Sequence, residues 1–269
     1  MNIFSKQSAS DTVPSGLVTI LKSKPYSTIR INNAAHNNVL NKDVIHQLTD
    51  AFEDVSADDD TRCIILSAEG VHFSAGPSLD EMRMMSKTDA VRWYRAGTTL
   101  CNLIENTRQP VICAIQGNCL SYGLAVALAC DIRIAAENAR LAFPDIRHIQ
   151  LVPGWGATQR LVHMIGSQDA KYLLITGEFI NVDDALNKFS IVHDVVSNDR
   201  LYPEATRIAD IICTADLEPL SQLKHAINSG VDVEFGTAIK IEEHSWISSW
   251  DVPNRTDIIQ DAIHNLNAS

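Results

Sequence analysis

Three short apolar runs, TRCIILSA (61–68), PVICAIQG (110–117) and IRIAAE (132–137), set the frame for this chain. None shows the polar alternation of a half-exposed strand, so each reads as a strand covered on both faces. The segments between them have helical spacing. NKDVIHQLTDAFEDVSADDD (41–60) opens with Asn41 at a capping position and carries Val44, Leu48, Phe52 and Val55 along one helical face. Further helical patterns cover about 87–106, LAVALACD (124–131) and 156–187. LVTILKS (17–23) and STIRIN (27–32) read as strands joined by a turn at Lys24-Pro25, and IVHDVV (191–196) reads as the last strand. Strands alternating with helices need crossover connections, which favour a mainly parallel sheet. From about residue 200 onward the pattern is helical only. The expected organisation is a loose, Ser-rich tail over 1–15, an α/β core over 16–199 and a helical region over 200–269.

Composition excludes several classes. With 45% hydrophobic and 20% charged residues the 269-residue chain is an ordinary globular protein. No run approaches the roughly 20 apolar residues that a membrane helix needs. The N-terminal MNIFSKQSASDTVPSG has no apolar stretch of signal-peptide length, so the chain reads as cytoplasmic, with no membrane partner. An excess of 33 acidic over 22 basic residues argues against a nucleic-acid partner, although a local basic cluster can still face an anionic small ligand. The six cysteines form no CxxC pair, and the nine histidines are scattered. They read as buried free thiols in a reducing compartment, with no metal site.

Three longer segments carry a resemblance. FSAGPSLDEM (73–82) follows a strand where the crotonase superfamily, the enoyl-CoA hydratase/isomerase family, has F-x-A-G-A-D-L-K-E-M. PVICAIQGNCLSYGLAVALACD (110–131) is similar to the family's P-V-I-A-A-V-x-G-x-A-x-G-G-G-x-E-L-A-L-A-C-D, and LVPGWGATQRLVHMIG (151–166) to I-P-G-x-G-G-T-Q-R-L-x-x-x-x-G. NNVLN (37–41) matches an early N-A-L-N. Order and spacing agree from about 17 to 196. The resemblance implies a spiral of ββα units with a C-terminal helical trimerisation region. The apolar pattern of Ile208, Ile211 and Ile212 is read here as part of the surface that joins subunits into a homotrimer or a dimer of trimers.

The resemblance also implies the chemistry. Family members bind an acyl thioester, usually acyl-CoA, and hold its enolate-like oxyanion with two backbone N–H donors. Such preorganised donors usually supply the largest catalytic contribution. One donor position falls on Tyr122, in SYG, just before Gly123. The other falls on Pro77, which has no N–H. Either a neighbour such as Ser78 substitutes, the loop shifts by one residue, or the reaction differs from the usual one. A hydratase glutamate is expected three residues after the second donor, where this chain has Ala125. The second hydratase glutamate follows a proline. Asp145 follows Pro144 but lies one residue off register, Ile146 being the aligned position, so Asp145 is the candidate acid or base. Arg147 and His148 stand beside it and are candidates to pair with it or to meet a substrate carboxylate. His244 is a further candidate and Glu81 reads as solvated. By position Ala75, Gly76, Gly123 and His36 line the substrate path, and Trp155 walls the acyl pocket. Basic residues are missing at Ala34 and Ala35, and Asp80 replaces the family's lysine, so the thioester can be borne by a carrier protein as well as by CoA. Beyond CoA as part of the substrate, no cofactor is implied. These features point to an isomerase or lyase acting through enolate stabilisation. The alternatives are a standard hydratase with a rearranged site, or a catalytically silent homolog that binds a thioester or acts as an oligomeric scaffold.

Overall fold

The computed structural model describes residues 16–268; the expected tail at 1–15 lies outside the described residues. Strand β1 (Val18–Ser23) and β2 (Tyr26–Ile31) form an antiparallel hairpin that closes around Lys24-Pro25, with Ser23 opposite Tyr26. Helix α1 (Lys42–Ser56) follows, and the Asn41 side chain accepts its Val44 N–H at 2.8 Å, which satisfies one of the donors a helix leaves unpaired at its start. Then come β3 (Cys63–Ala68), the short α2 (Leu79–Met84) and the long α3 (Lys87–Asn106), which starts in a Ser86/Asp89 capping box.

From here successive strands alternate between two sheets. β4 (Val111–Ile115) belongs to a large sheet and β5 (Asn118–Leu120) to a small one; α4 (Tyr122–Leu128) returns the chain to β6 (Ile132–Ala136) in the large sheet, and β7 (Arg140–Ala142) lies again in the small one. After α5 (Asp145–Ile149) and α6 (Ala157–Thr176), β8 (Ile180–Asn181) pairs antiparallel with β7, and β9 (Asp194–Val196) closes the large sheet. The large sheet has the order β1-β2-β3-β4-β6-β9 and is parallel from β2 onward. This is the expected crotonase-like spiral. The step from β4 to β5 passes through Gly117 at φ +54, where an added Cβ would stand 2.1 Å from the Val71 carbonyl oxygen. Only glycine fits there.

The apolar strands bury both faces by alternation. Ile64 and Leu66 of β3 enter the main core with Phe52, Leu100 and Val126, whereas Cys63 and Ile65 enter a second core on the opposite face. That second core is covered by α7 (Leu201–Ile212) through Leu201, Ala205 and Ala209, with Ile208 and Ile212 packed against it. This corrects the reading of Ile208, Ile211 and Ile212 as an intersubunit surface: two of the three serve the chain's own core, and only Ile211 is exposed. The helical reading of 156–187 also overran. α6 ends at Thr176 because Gly177 takes φ +60, and a π-helical turn at Asp184–Lys188 follows β8.

Beyond α7, α8 (Leu217–Gly230) and α9 (Phe235–Trp250) pack as a pair, followed by α10 (Arg255–Ala268). A buried lysine fixes α8 to the core. Lys224 Nζ donates to Asp131 Oδ2 at 2.7 Å and to the carbonyls of Gln109 at 3.1 Å and Ile104 at 3.3 Å. Burial pushes the Asp131 carboxyl up, and Lys224 pulls it back down. Removing one partner of a buried pair strands the other charge, at about 3–5 kcal/mol. Lys224→Met is therefore expected to lower unfolding stability by about that amount. Urea denaturation measures it, and a loss below about 1 kcal/mol would show that the pair behaves like a surface ion pair.

Candidate active site

The cleft of interest lies where three loops meet. The first is the turn after β2. Asn38 is buried there; its Nδ2 donates to the carbonyls of Glu69 (2.8 Å) and His72 (2.7 Å), and its Oδ1 accepts the Asn33 N–H. The second is the Ala75-Gly76-Pro77 loop. Ser74 Oγ donates to the Asn38 carbonyl at 2.7 Å and accepts the Gly76 N–H at 3.1 Å, and Ala75 N–H donates to the Asn37 carbonyl. The third is the turn from β5 into α4, where Ser121 N–H donates to the Ala142 carbonyl at 2.8 Å. Gly76, at φ +95, sits so close to this turn that an added Cβ would lie 3.0 Å from Ser121 Cβ.

Together they bound a cleft of about 670 Å³ whose lining includes His36, Ala75, Pro77, Ser121, Asp145 and His148. Five of these six residues were expected from the sequence; Ser121 was not. Asp145, the first residue of α5, is 2% exposed. Its Oδ1 accepts the Ser121 hydroxyl at 2.5 Å, and its Oδ2 has no partner among the described residues. Burial pushes this carboxyl above the usual aspartate range, while the Ser121 hydrogen bond and nearby His148 draw it down. His148 lies one turn further along α5 and is exposed at the cleft. Ser121 has φ +53 and ψ −121, a region that residues other than glycine rarely occupy. It stands in the stretch where the resemblance places three glycines.

The amides on either side of Pro77, those of Gly76 and Ser78, are both engaged. Leu40 forms a parallel bridge with Pro77, with Leu40 N–H donating to the Gly76 carbonyl at 2.8 Å and Ser78 N–H donating to the Leu40 carbonyl at 3.3 Å. That pattern leaves the Pro77 nitrogen on the side away from Leu40, and this nitrogen carries no hydrogen. Gly76 N–H is held by Ser74, and Ser78 Oγ caps α2 through Glu81 N–H. The backbone N–H groups of Gly76 and Ser78 are thus both occupied, while the Ser78 hydroxyl, which lines the cleft, accepts one hydrogen bond and keeps its own proton to donate. The N–H of Tyr122, by contrast, has no acceptor among the described residues.

Other expected residues stand elsewhere. Arg147 turns away to the Thr176 carbonyl at 3.3 Å and does not line the cleft. Glu81 is not merely solvated, for its Oε2 accepts the first N–H of α1, that of Lys42. His244 lines a separate cavity with Glu105, Arg108 and Lys224. Ala125 and Gly123 are buried in α4, with Gly123 packed on Ser74. Trp155 does not face the cleft. It is fully buried at φ +57 in a cluster with Trp93 and Tyr122, ring centroids 4.5–4.8 Å apart. Trp93 and the Tyr122 ring were not anticipated, because nothing local shows that residues 93, 122 and 155 converge.

The family model described as Enoyl-CoA hydratase/isomerase matches residues 24–254. The chain belongs to the enoyl-CoA hydratase/isomerase family. A crotonyl-CoA hydratase from Syntrophomonas wolfei is 33% identical over 226 residues, covering 84% of this chain and 86% of the relative. A mitochondrial methylglutaconyl-CoA hydratase from Homo sapiens is 32% identical, covering 84% of this chain and 68% of its own. Among solved structures, an enoyl-CoA hydratase from Bacillus anthracis is similar with a TM-score of 0.89 at 28% identity, covering 93% of this chain and 96% of that one. In this member of the family the cleft carries one buried carboxyl and one hydroxyl bonded to it, and the residue after that hydroxyl, Tyr122, has a backbone N–H with no acceptor among the described residues. The described residues hold no cluster of His, Cys, Asp and Glu suited to a metal ion and no helix long and apolar enough to cross a membrane.

Proposed function

We propose that the protein acts on an acyl thioester by stabilising its enolate, as an isomerase or lyase and not as a standard hydratase. The observation that carries this reading is Asp145. It is a nearly fully buried carboxyl at the cleft, with its proton affinity raised and one oxygen without a partner. Such a group can take a proton from the carbon next to a thioester carbonyl and return it elsewhere. Tyr122 N–H is the donor for the oxyanion that forms. Shifting a double bond or breaking a carbon–carbon bond can proceed with one acid–base group. Adding water across a double bond needs one group for water and another for carbon, and Ala125 offers nothing for the second task.

The cleft lining contains His36, His148 and Asp80 but no Lys or Arg among the described residues. That favours a thioester whose phosphates are held outside the cleft, including one borne by a carrier protein. No cofactor enters the proposal, and CoA enters only as part of the substrate. The buried thiols fit a reducing, cytoplasmic setting; burial pushes Cys101 up to about 12, so it carries no reactive thiolate at neutral pH.

The test is hydrogen–deuterium exchange at the α-carbon of butyryl-CoA, followed by proton NMR. Enzyme-dependent exchange is expected. Binding without exchange would instead favour the silent thioester-binding reading, and absence of binding would remove both.

We also propose a homotrimer or a dimer of trimers. The motive shifts from α7 to the helices beyond it, where Leu223, Ile227, Phe235, Trp246, Ile247 and Trp250 are 49–77% exposed. An apolar surface of this kind marks a protein contact. Light scattering at micromolar concentration is expected to give three or six times the chain mass, and a stable monomer would contradict this.

A further inference from the structure

We propose that Ser121 is a nucleophile, and that the cleft cleaves an acyl thioester through a Ser121 ester with Asp145 as its base. The proposal goes beyond enolate chemistry and rests on the preceding reading only in taking an acyl thioester as the substrate.

Two observations carry it. Ser121 Oγ donates to Asp145 Oδ1 at 2.5 Å, and both residues line the cleft. A hydroxyl within hydrogen-bond reach of a base is the arrangement of an activated nucleophile. The Asp145 carboxyl is 2% exposed, and its second oxygen is buried with no partner among the described residues, so the base keeps unused hydrogen-bonding capacity beside the hydroxyl. The second observation is the backbone. Ser121 occupies φ +53, ψ −121 at the junction between β5 and α4. A serine on a strained strand-to-helix turn presents its hydroxyl outward, and the N–H of the following residue faces the same carbonyl. Here the following N–H belongs to Tyr122 and has no acceptor among the described residues. Glycine would occupy this turn without strain, so a serine here costs conformational energy.

The steps balance as follows. Ser121 Oγ attacks the thioester carbonyl carbon while its proton passes to Asp145. The carbon–sulfur bond breaks, and the thiol leaves with the proton that Asp145 returns. Water then attacks the Ser121 ester, Asp145 takes its proton and delivers it to Ser121 Oγ, and a carboxylic acid departs. Nothing is oxidised or reduced, and water is the only co-reactant. One base, one nucleophile and one donor suffice; the cleft holds the first two, and the donor is the N–H of the residue that follows the nucleophile.

Butyryl-CoA tests this, because it has no carbon–carbon double bond to isomerise or hydrate. Thiol release is followed with a chromogenic disulfide, and the acyl-enzyme by mass spectrometry after acid quenching. Diisopropyl fluorophosphate serves as an independent probe of a nucleophilic serine. Steady thiol release is expected, with a butyryl or phosphoryl adduct on the peptide that carries Ser121. Ser121→Ala and Ser121→Gly should each lose at least about 10²-fold in thiol release. Ser121→Gly suits the backbone angle, and its melting curve shows that the fold persists. Calorimetric binding of butyryl-CoA without thiol release or adduct would overturn the proposal and leave the enolate reading standing. Undiminished release in Ser121→Gly would overturn it as well. Release and adduct lost together in both Ser121 variants, with calorimetric binding of butyryl-CoA retained, would support it.

Discussion

Asp145→Asn is expected to lose at least about 10²-fold in turnover of a thioester substrate, α-carbon exchange included, while still binding it. The amide keeps the shape and can still accept the Ser121 hydroxyl, so the cleft geometry survives, but the proton exchange is gone. Among the described residues no other carboxyl in the cleft lining is buried: Asp80, the one other carboxyl there, is exposed. The pH dependence follows from the same burial. Activity that needs the carboxylate should rise through an apparent pKa above the ordinary aspartate value, because burial is the largest influence on Asp145. Stability runs the other way. The folded state holds this proton more tightly than the unfolded chain does, so the contribution is present below the unfolded pKa and is lost as pH rises through the folded one. Denaturation of wild type and Asp145→Asn at pH values on either side should show the wild type losing stability relative to the variant as pH rises. Turnover unchanged in Asp145→Asn would move the acid–base role to His148, the nearest titratable group on the same helix.

Hydration of crotonyl-CoA is expected to be absent or very slow, even though a crotonyl-CoA hydratase is among the relatives. Two groups are involved. The position one turn into α4 holds Ala125, a buried methyl group, where proton transfer would contribute about 10²–10⁴-fold. Pro77 removes one backbone donor, which is worth about 10²–10³-fold, and the neighbouring amides of Gly76 and Ser78 are already committed to Ser74 and Leu40. The expected deficit is roughly 10⁴-fold or more against a hydratase with both groups. Steady-state hydration followed by loss of enoyl absorbance measures it. A turnover number on the order of 10 s⁻¹, ordinary for enzymes, would show that Asp145 and Ser121 together handle both protons.

Much of the core was legible because its signals are local. The Asn41 cap, the span of α3 and the two-faced strands each follow from neighbouring residues, and the structure returns them with ends shifted by a residue or two. The small sheet was not legible. β5, β7 and β8 are two or three residues long, too short to show a period of two, and they form only because β5 and β7 meet across the spiral. The helices after residue 200 were legible as helices, but the sequence does not say which apolar face meets the sheet and which meets solvent, and α7 was read as outward for that reason. In and behind the cleft, Asp145, Pro77 and the buried Ala125 were visible as departures from a pattern. Ser121 was not, because its role depends on a backbone angle and on a partner 24 residues away. Trp155 was misplaced for a related reason. At φ +57 its ring turns inward to fill the space above Gly97, where an added Cβ would lie 1.8 Å from the ring.

The turn at Ser121 also bears on how the protein can change. Its φ of +53 and ψ of −121 are held by the Ala142 carbonyl behind and Gly76 in front, and such a conformation costs about 1–3 kcal/mol in a residue with a side chain. Replacement by glycine would relax the turn and remove the hydroxyl in one step. On the proposed chemistry, selection for a sturdier fold and selection for the hydroxyl therefore oppose each other at a single codon.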